Sequence, residues 1–278
     1  MKKVIVMLMA AVLLLSLGAC KKKVEKLTVA MSPDFAPMEF VDTSKTGQEQ
    51  YVGFDVTLAN YLADELGMEL EIKPMSFDAC MTAVQLGSVD LGISGFSWKP
   101  DRAENFLLSD YYIAGENETE QVVITVKAKE GALATEESYA GLKVGAQTSS
   151  LQEQLVKDEL LPAGAELVVY KTIDDAVLAL QTGKIDALAV AQGNGEAIIA
   201  NNPDLAQTGF QFDVDPKYKN NVILLNKQNA ELLEKVNAAL GKAMAAGYYD
   251  GWYKDAKTLA GIPTAADVSY DDDGKPIG

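Results

Sequence analysis

Residues 54–94 read FDVTLANYLADELGMELEIKPMSFDACMTAVQLGSVDLGIS, and the alternation inside this stretch decides the fold class. Phe54, Leu58, Leu62 and Leu66 recur every fourth residue, which places them along one helix face, and Gly67 stands where a helix ends in a left-handed residue. Leu70 and Ile72 then share one face of a strand. A second helix runs from Phe77 through Met81 and Val84 to Gly87, and residues 89–94 follow as a buried strand. With a first strand at 27–31, this is a βαβαβ unit, the pattern of a parallel sheet covered by helices.

A similar unit comes later. Thr172 caps a helix with Asp175 three positions on, Ile173, Val177 and Leu180 line its apolar face, Gly183 stops it, and residues 185–190 form the next strand. The hexapeptides at 85–90 (QLGSVD) and 181–186 (QTGKID) share a helix-glycine-strand pattern, which reads as equivalent positions in two lobes, although two αβ turns can also resemble each other by chance. Runs at 121–126 and 221–225 flank the second unit and read as strands passing between lobes. A long helix follows with Leu232, Val236, Leu240 and Met244 on one stripe, and from Pro263 the chain turns polar and is expected to fray. The expected class is therefore α/β with two lobes, each a mixed sheet flanked by helices, joined by two crossovers that bend as a hinge. The boundaries read as 27–118 plus 219–262 for lobe 1, 119–218 for lobe 2, and 263–278 for the tail.

Ahead of the first strand, Lys2 and Lys3 precede an apolar run too short to span a bilayer, which is the anatomy of a secretion signal over 1–19. Leu17-Gly18-Ala19-Cys20 resembles a lipoprotein cleavage box, so Cys20 is expected to be acylated and residues 20–26 to form a tether; an ordinary secretory signal with an incidental cysteine is the alternative. Cys80 is then the one thiol left, expected to be buried and structural. The chain has no histidine, which removes the commonest general base and transition-metal ligand, and neither a metal nor a cofactor is expected. A net charge of −16 argues against nucleic acid as a partner.

Several stretches in the right order then carry a resemblance: Asp34-Phe35-Ala36-Pro37-Met38-Glu39-Phe40, Val52-Gly53-Phe54-Asp55-Val56, and the run from Gly92 through Ser97-Trp98-Lys99-Pro100-Asp101 to Arg102. Ser109-Asp110-Tyr111-Tyr112, Leu142-Lys143-Val144-Gly145 and Gly247-Tyr248-Tyr249-Asp250 extend it. Over nearly all its mature length the chain resembles family 3 of the bacterial extracellular solute-binding proteins, the amino-acid receptors of ABC importers. The resemblance implies a type II periplasmic-binding-protein-like fold, a small carboxylate-bearing ligand, an ABC permease with its ATPase as partners, a monomer, and a place outside the cytoplasm on the membrane face or in a periplasm.

It also implies site residues. Arg102 matches the arginine that holds the ligand carboxylate, for which a planar guanidinium is suited; a surface arginine paired with Asp101 or Glu104 is the alternative. Ser94, Gly95 and Ser97 follow a strand end, where open α/β sheets bind ligands, and Ser149 and Ser150 open a helix in lobe 2. Phe35 and Phe77 match the rings that sandwich the ligand, and Trp98 falls at the cleft mouth. The family's usual aspartate for the α-ammonium is replaced by Ala191, so either Gln192 or Glu196 substitutes or the ligand lacks a primary amine. Ser32 stands where receptors for basic amino acids often carry an aspartate, which disfavours lysine or arginine. Two other readings stand beside the receptor: a dehydratase of prephenate-like acids on the same fold, with Glu196 as its acid, and a sensory surface lipoprotein.

Overall fold

The computed structural model describes residues 24–112 and 120–263, with the backbone of 269–270 and 276–277. Strand β1 (Lys26–Met31) opens the chain, and β2 (Asp34–Phe35), β3 (Glu39–Val41) and β4 (Tyr51–Val52) form a small antiparallel sheet after it. Helix α1 (Phe54–Leu66), β5 (Glu69–Pro74), α2 (Phe77–Gln85) and β6 (Leu91–Gly92) then build the unit read from the sequence. α3 (Pro100–Asn105) and β7 (Leu107–Leu108) complete this part of the chain. The second unit runs β8 (Gln121–Val126), β9 (Lys143–Gln147), α4 (Leu151–Leu155) with a π-helical extension over Val156–Leu160, and β10 (Glu166–Tyr170). It continues through α5 (Ile173–Gln181), β11 (Ala187–Ala191), α6 (Gln192–Asn201) and β12 (Leu205–Gln211). β13 (Leu224–Leu225), α7 (Ala230–Ala245) and α8 (Tyr248–Leu259) return to the first.

Two five-stranded sheets result, ordered β5-β1-β6-β13-β7 and β10-β9-β11-β8-β12. In each, the three strands of the βαβαβ unit pair parallel, and a strand from the far side of a crossover pairs antiparallel: β13 on β6 and β7, β8 on β11 and β12. Both faces of each sheet are covered. Phe54, Leu58 and Leu62 of α1 pack with Val236, Leu240, Tyr249 and Tyr253 on one side of the first sheet, while Cys80 and Val84 of α2 pack with Phe96 on the other. The second sheet lies between Val144, Leu151 and Leu155 on one face and Ile173, Leu180 and Ile198 on the other.

The two hexapeptides occupy equivalent places in these lobes. Gly87 and Gly183 have φ of 68° and 70°, so both turns need the left-handed conformation that glycine adopts without a Cβ penalty. Three residues on, Asp90 Oδ2 accepts from the backbone N–H of Thr28 at 2.8 Å and Asp186 Oδ2 from that of Lys143 at 3.0 Å, one aspartate anchoring the neighbouring strand in each lobe. Chance similarity does not produce the same turn and the same anchor twice.

The structure departs from the periodicity reading in three places. Met244 is 53% exposed and Ala243 is buried in its stead. At 100° per residue each step of four overshoots a full turn by about 40°, so a stripe drawn through three such steps drifts off the core. The strands expected over 89–94 and 221–225 pair as full ladders only at Leu91–Gly92 and Leu224–Leu225, because the chain beyond Ile93 turns out toward the interlobe space. In the polar tail, where fraying was expected, Ser269–Tyr270 pairs antiparallel with Pro276–Ile277. The signal and lipidation region, with Cys20, and part of the first crossover lie outside the described residues. Among those described, no helix is long and apolar enough to cross a membrane.

Candidate functional site

Arg102 sits on α3, a short helix begun by Pro100, whose fixed φ suits the first helical turn. The side chain is 2% exposed, with its guanidinium 5.5 Å from the centroid of Phe77 and 5.4 Å from that of Phe96. Nη1 donates to Ser97 O at 2.5 Å and Nη2 crosses to lobe 2, donating to Ser149 O at 2.9 Å; Nε is buried without a partner. Among the described residues no carboxylate lies within ion-pair distance of it, and Asp101 is instead 3.8 Å from Lys99 Nζ. The surface-pairing alternative therefore fails. Burial lowers the guanidinium from its ordinary 12.5 to about 10, against the opposing pull of Asp101, so it remains a cation at neutral pH. A buried cation without an anion is costly, and its surroundings offer it only carbonyls and ring faces.

Beyond the end of β6, Ser94 accepts from Ser32 N at 3.0 Å and donates to Glu39 Oε1. Gly95 has φ +55°, and a Cβ there would lie 2.6 Å from Cε1 of Phe35, so the ring packs directly on its backbone. Its N–H donates to Asp55 Oδ2 at 2.8 Å. Ser32 is not acidic, but its hydroxyl donates to Asp34 Oδ1 at 2.8 Å, and both Asp34 and Glu39 line the cleft. The ground for disfavouring a basic ligand is thus removed: carboxyl groups come from two and seven residues further along the chain. Asp34 Oδ2 also accepts from Ile173 N, the first residue of α5 in lobe 2, at 2.7 Å. Desolvation raises the Asp34 carboxyl above its ordinary value, opposed by that backbone N–H.

In lobe 2, Ser149 is the one non-glycine residue with positive φ among those described, at 66°, and this conformation aims its carbonyl at Arg102. Ser150 caps α4 by accepting from Glu153 N at 3.0 Å and donates to Gln147 O at 2.7 Å. Ala191, where the family's aspartate would stand, does line the cleft, so the site lacks that carboxylate in fact as well as in sequence. Asn194, one turn along α6, is buried; its Nδ2 donates across the lobes to Ala36 O at 2.9 Å, and its Oδ1 has no partner. The Ala36 carbonyl can only accept, which fixes the orientation of the amide.

The lobes close over a narrow cleft, a cavity of about 30 Å³. Phe35, Phe77, Ser94, Gly95, Arg102 and Ser150 line it. Ser97 and Ser149 stand behind it and orient Arg102 through their carbonyls. Gln192 does not line it: α6 turns that side chain toward Glu196 Oε1, 3.4 Å away. Glu196, the acid required by the dehydratase reading, is also outside the lining and pairs with Lys257 Nζ at 2.9 Å. Trp98 is off the cleft and stacks on Tyr218. Cys80 is buried, its thiol pushed far up by desolvation, as a structural cysteine should be. Sequence reasoning missed Asp34, Glu39, Gln147 and Asn194. The first two lay inside a quoted motif, and their acidity beside Phe35 was the signal; nothing local marks the other two.

The family model of the bacterial extracellular solute-binding proteins, family 3, matches residues 27–255. The chain is 30% identical over 248 residues to the arginine-binding extracellular protein ArtP of Bacillus subtilis (strain 168), covering 86% of this chain and 92% of that one. Its structure is similar to that of the amino acid ABC transporter substrate-binding protein AbpA of Streptococcus pneumoniae bound to L-arginine, with a TM-score of 0.76, 34% identity, and 86% and 97% of the two chains covered. An ancestral arginine-binding protein bound to glutamine is also similar, with a TM-score of 0.73, 31% identity, and 83% and 96% covered. A match through both sheets and both crossovers, together with a two-lobed type II periplasmic-binding-protein fold, means that the chain belongs to the bacterial extracellular solute-binding proteins, family 3.

Proposed function

We propose that the protein captures a cationic amino acid, arginine first among them, outside the cytoplasmic membrane and delivers it to the permease of an ABC importer. One observation carries the reading: the guanidinium of Arg102 is buried in the interlobe cleft with, among the described residues, no carboxylate in ion-pair reach and a free Nε, and the same cleft holds the carboxyl groups of Asp34 and Glu39. A zwitterion with a further positive group matches that division, its α-carboxylate on Arg102 and its cationic end toward the acidic wall. The relatives' arginine ligands agree with it. Where the family's aspartate is absent, Asn194 Oδ1 is the buried acceptor available to the α-ammonium.

Acylation of Cys20 would tether the receptor to the membrane face, with Lys21–Lys23 as the start of the tether. ATP hydrolysis belongs to the importer's ATPase. Titration calorimetry with L-arginine, L-lysine, L-histidine, L-glutamine and succinate tests the ligand class. Saturable binding, tightest for arginine, is expected. Arg102→Met, which keeps the volume and drops the charge, should cost roughly 3 kcal/mol of binding, about a hundredfold or more, with the circular dichroism spectrum unchanged. If none of these solutes saturates the protein, the reading falls.

A further inference from the structure

Glu39 and Asp55 are both fully buried, and the oxygens of each divide into two kinds. Glu39 Oε1 accepts from Ser94 Oγ, and Asp55 Oδ2 accepts from Gly95 N at 2.8 Å and from the Tyr112 hydroxyl at 3.0 Å. The other oxygen of each, Glu39 Oε2 and Asp55 Oδ1, has no donor from the protein. The two side chains are held side by side: their partners Ser94 and Gly95 are consecutive residues, and Asp55 N donates to the carbonyl of Met38, next to Glu39, at 2.8 Å. Two ionised carboxylates buried side by side repel and neither has a hydrogen to donate, whereas one proton on the pair would give both orphan oxygens a partner.

The surroundings hold that proton in place. Desolvation is the largest cause acting on both groups: it pushes Asp55 up to about 7 and Glu39 well above the ordinary carboxylate range. The charges that face the pair from neighbouring elements are those of acids. Asp34 on β2 raises Glu39 further, and the Tyr112 phenol and the Cys80 thiol on α2 are kept neutral, mainly by burial. Glu39 lines the cleft; Asp55, on α1 behind it, does not.

We infer that Asp55 is a positioning residue that sets the charge of Glu39 through one proton held between the two carboxyls, and that a cationic ligand group settles on Glu39 only as that proton leaves for solvent. The inference rests on the cationic ligand class proposed above. No covalent bond changes: the ligand's positive charge enters and one proton passes to the buffer. A neutral side chain leaves the proton where it is. Discrimination between cationic and neutral amino acids therefore grows as pH rises.

The experiment uses L-arginine as the probe and two variants that push in opposite directions. In Asp55→Asn the amide oxygen still accepts from Gly95 and Tyr112 while the amide nitrogen donates to Glu39, which locks Glu39 as the anion. In Glu39→Gln the amide donates to Asp55 and accepts from Ser94, which locks position 39 as neutral. Calorimetry at pH 7 in buffers of different ionisation enthalpy should give about one proton released per arginine for the unaltered protein, with affinity rising up to about tenfold per pH unit between pH 6 and 8. Asp55→Asn should release none and bind arginine equally at both ends of that range. Glu39→Gln should bind arginine at least ~10-fold more weakly at pH 8 and lose the pH dependence.

Arginine binding without proton release by the unaltered protein overturns the inference. So do two variants that shift in the same direction, as a merely structural role predicts. If no basic amino acid binds at all, the ligand reading has failed, and the pair is tested alone by melting against pH. Carboxyls raised on folding stabilise below the ordinary carboxylate range, and that contribution is lost as pH rises through about 7. The unaltered protein should lose stability from pH 5 to 8 and Asp55→Asn should lose less; parallel curves overturn the shared proton.

Discussion

Arg102 shows how a single side chain states a requirement. Its three donor nitrogens face two carbonyls and one unfilled direction, and no carboxylate among the described residues pairs with it. Removing one partner from a buried pair costs about 3–5 kcal/mol, so a cation held without its partner is a standing demand for an anion. Gly95 makes the complementary point, since its place in the cleft wall is permitted by what it lacks. A side chain there would have to adopt φ +55° and overlap Phe35. Gly95→Ala should therefore destabilise the protein by roughly 1–3 kcal/mol and, by displacing the Phe35 ring, lower ligand affinity as well. Melting temperature and calorimetric affinity measured on the same sample check both halves.

Single elements were legible where local chemistry determines them. The Thr172 cap with Asp175, the turns at Gly87 and Gly183, and strand 121–126 all follow from residues within a few positions of one another. The cleft was half legible. Arg102, Phe35, Phe77, Ser94 and Gly95 sit inside contiguous motifs, whereas Asn194 acquires its role only because Ala36, 158 residues earlier, takes its amide hydrogen. Gln192 misled for the opposite reason, since adjacency to Ala191 says nothing about which side of α6 meets the cleft. At this scale the bond from α5 to Asp34 is the most consequential, because it joins a strand of one lobe to the first N–H of a helix in the other. Asp34→Ala should shift the lobes toward the open arrangement, raising the radius of gyration by small-angle scattering and weakening ligand binding several-fold, with little change in the melting of either lobe.

The molecule as a whole is two rigid sheets-with-helices held together at few points. Besides Asp34 with Ile173, the polar contacts between the lobes include Arg102 with Ser149, Asn194 with Ala36, Asn201 with Ala260, and Lys257 with Glu196, and a small apolar cluster joins Ala197 to Ala36, Phe40 and Ala260. Water replaces the polar contacts when the lobes part, and a ligand bridging both walls shifts the balance toward the closed arrangement. The two chain crossings keep the lobes in register while this happens.

The stack of Trp98 on Tyr218, with centroids 6.2 Å apart and planes 22° from parallel, bridges the Phe96 side of the first lobe and the core of the second. The other tryptophan, Trp252, lies among Tyr61, Tyr248 and Tyr249 within one lobe. The chain thus carries its own optical gauge: in a Trp252→Phe background, indole emission should change on mixing with arginine at the rate the jaws shut, and a Trp98→Phe protein should stay dark to the same event.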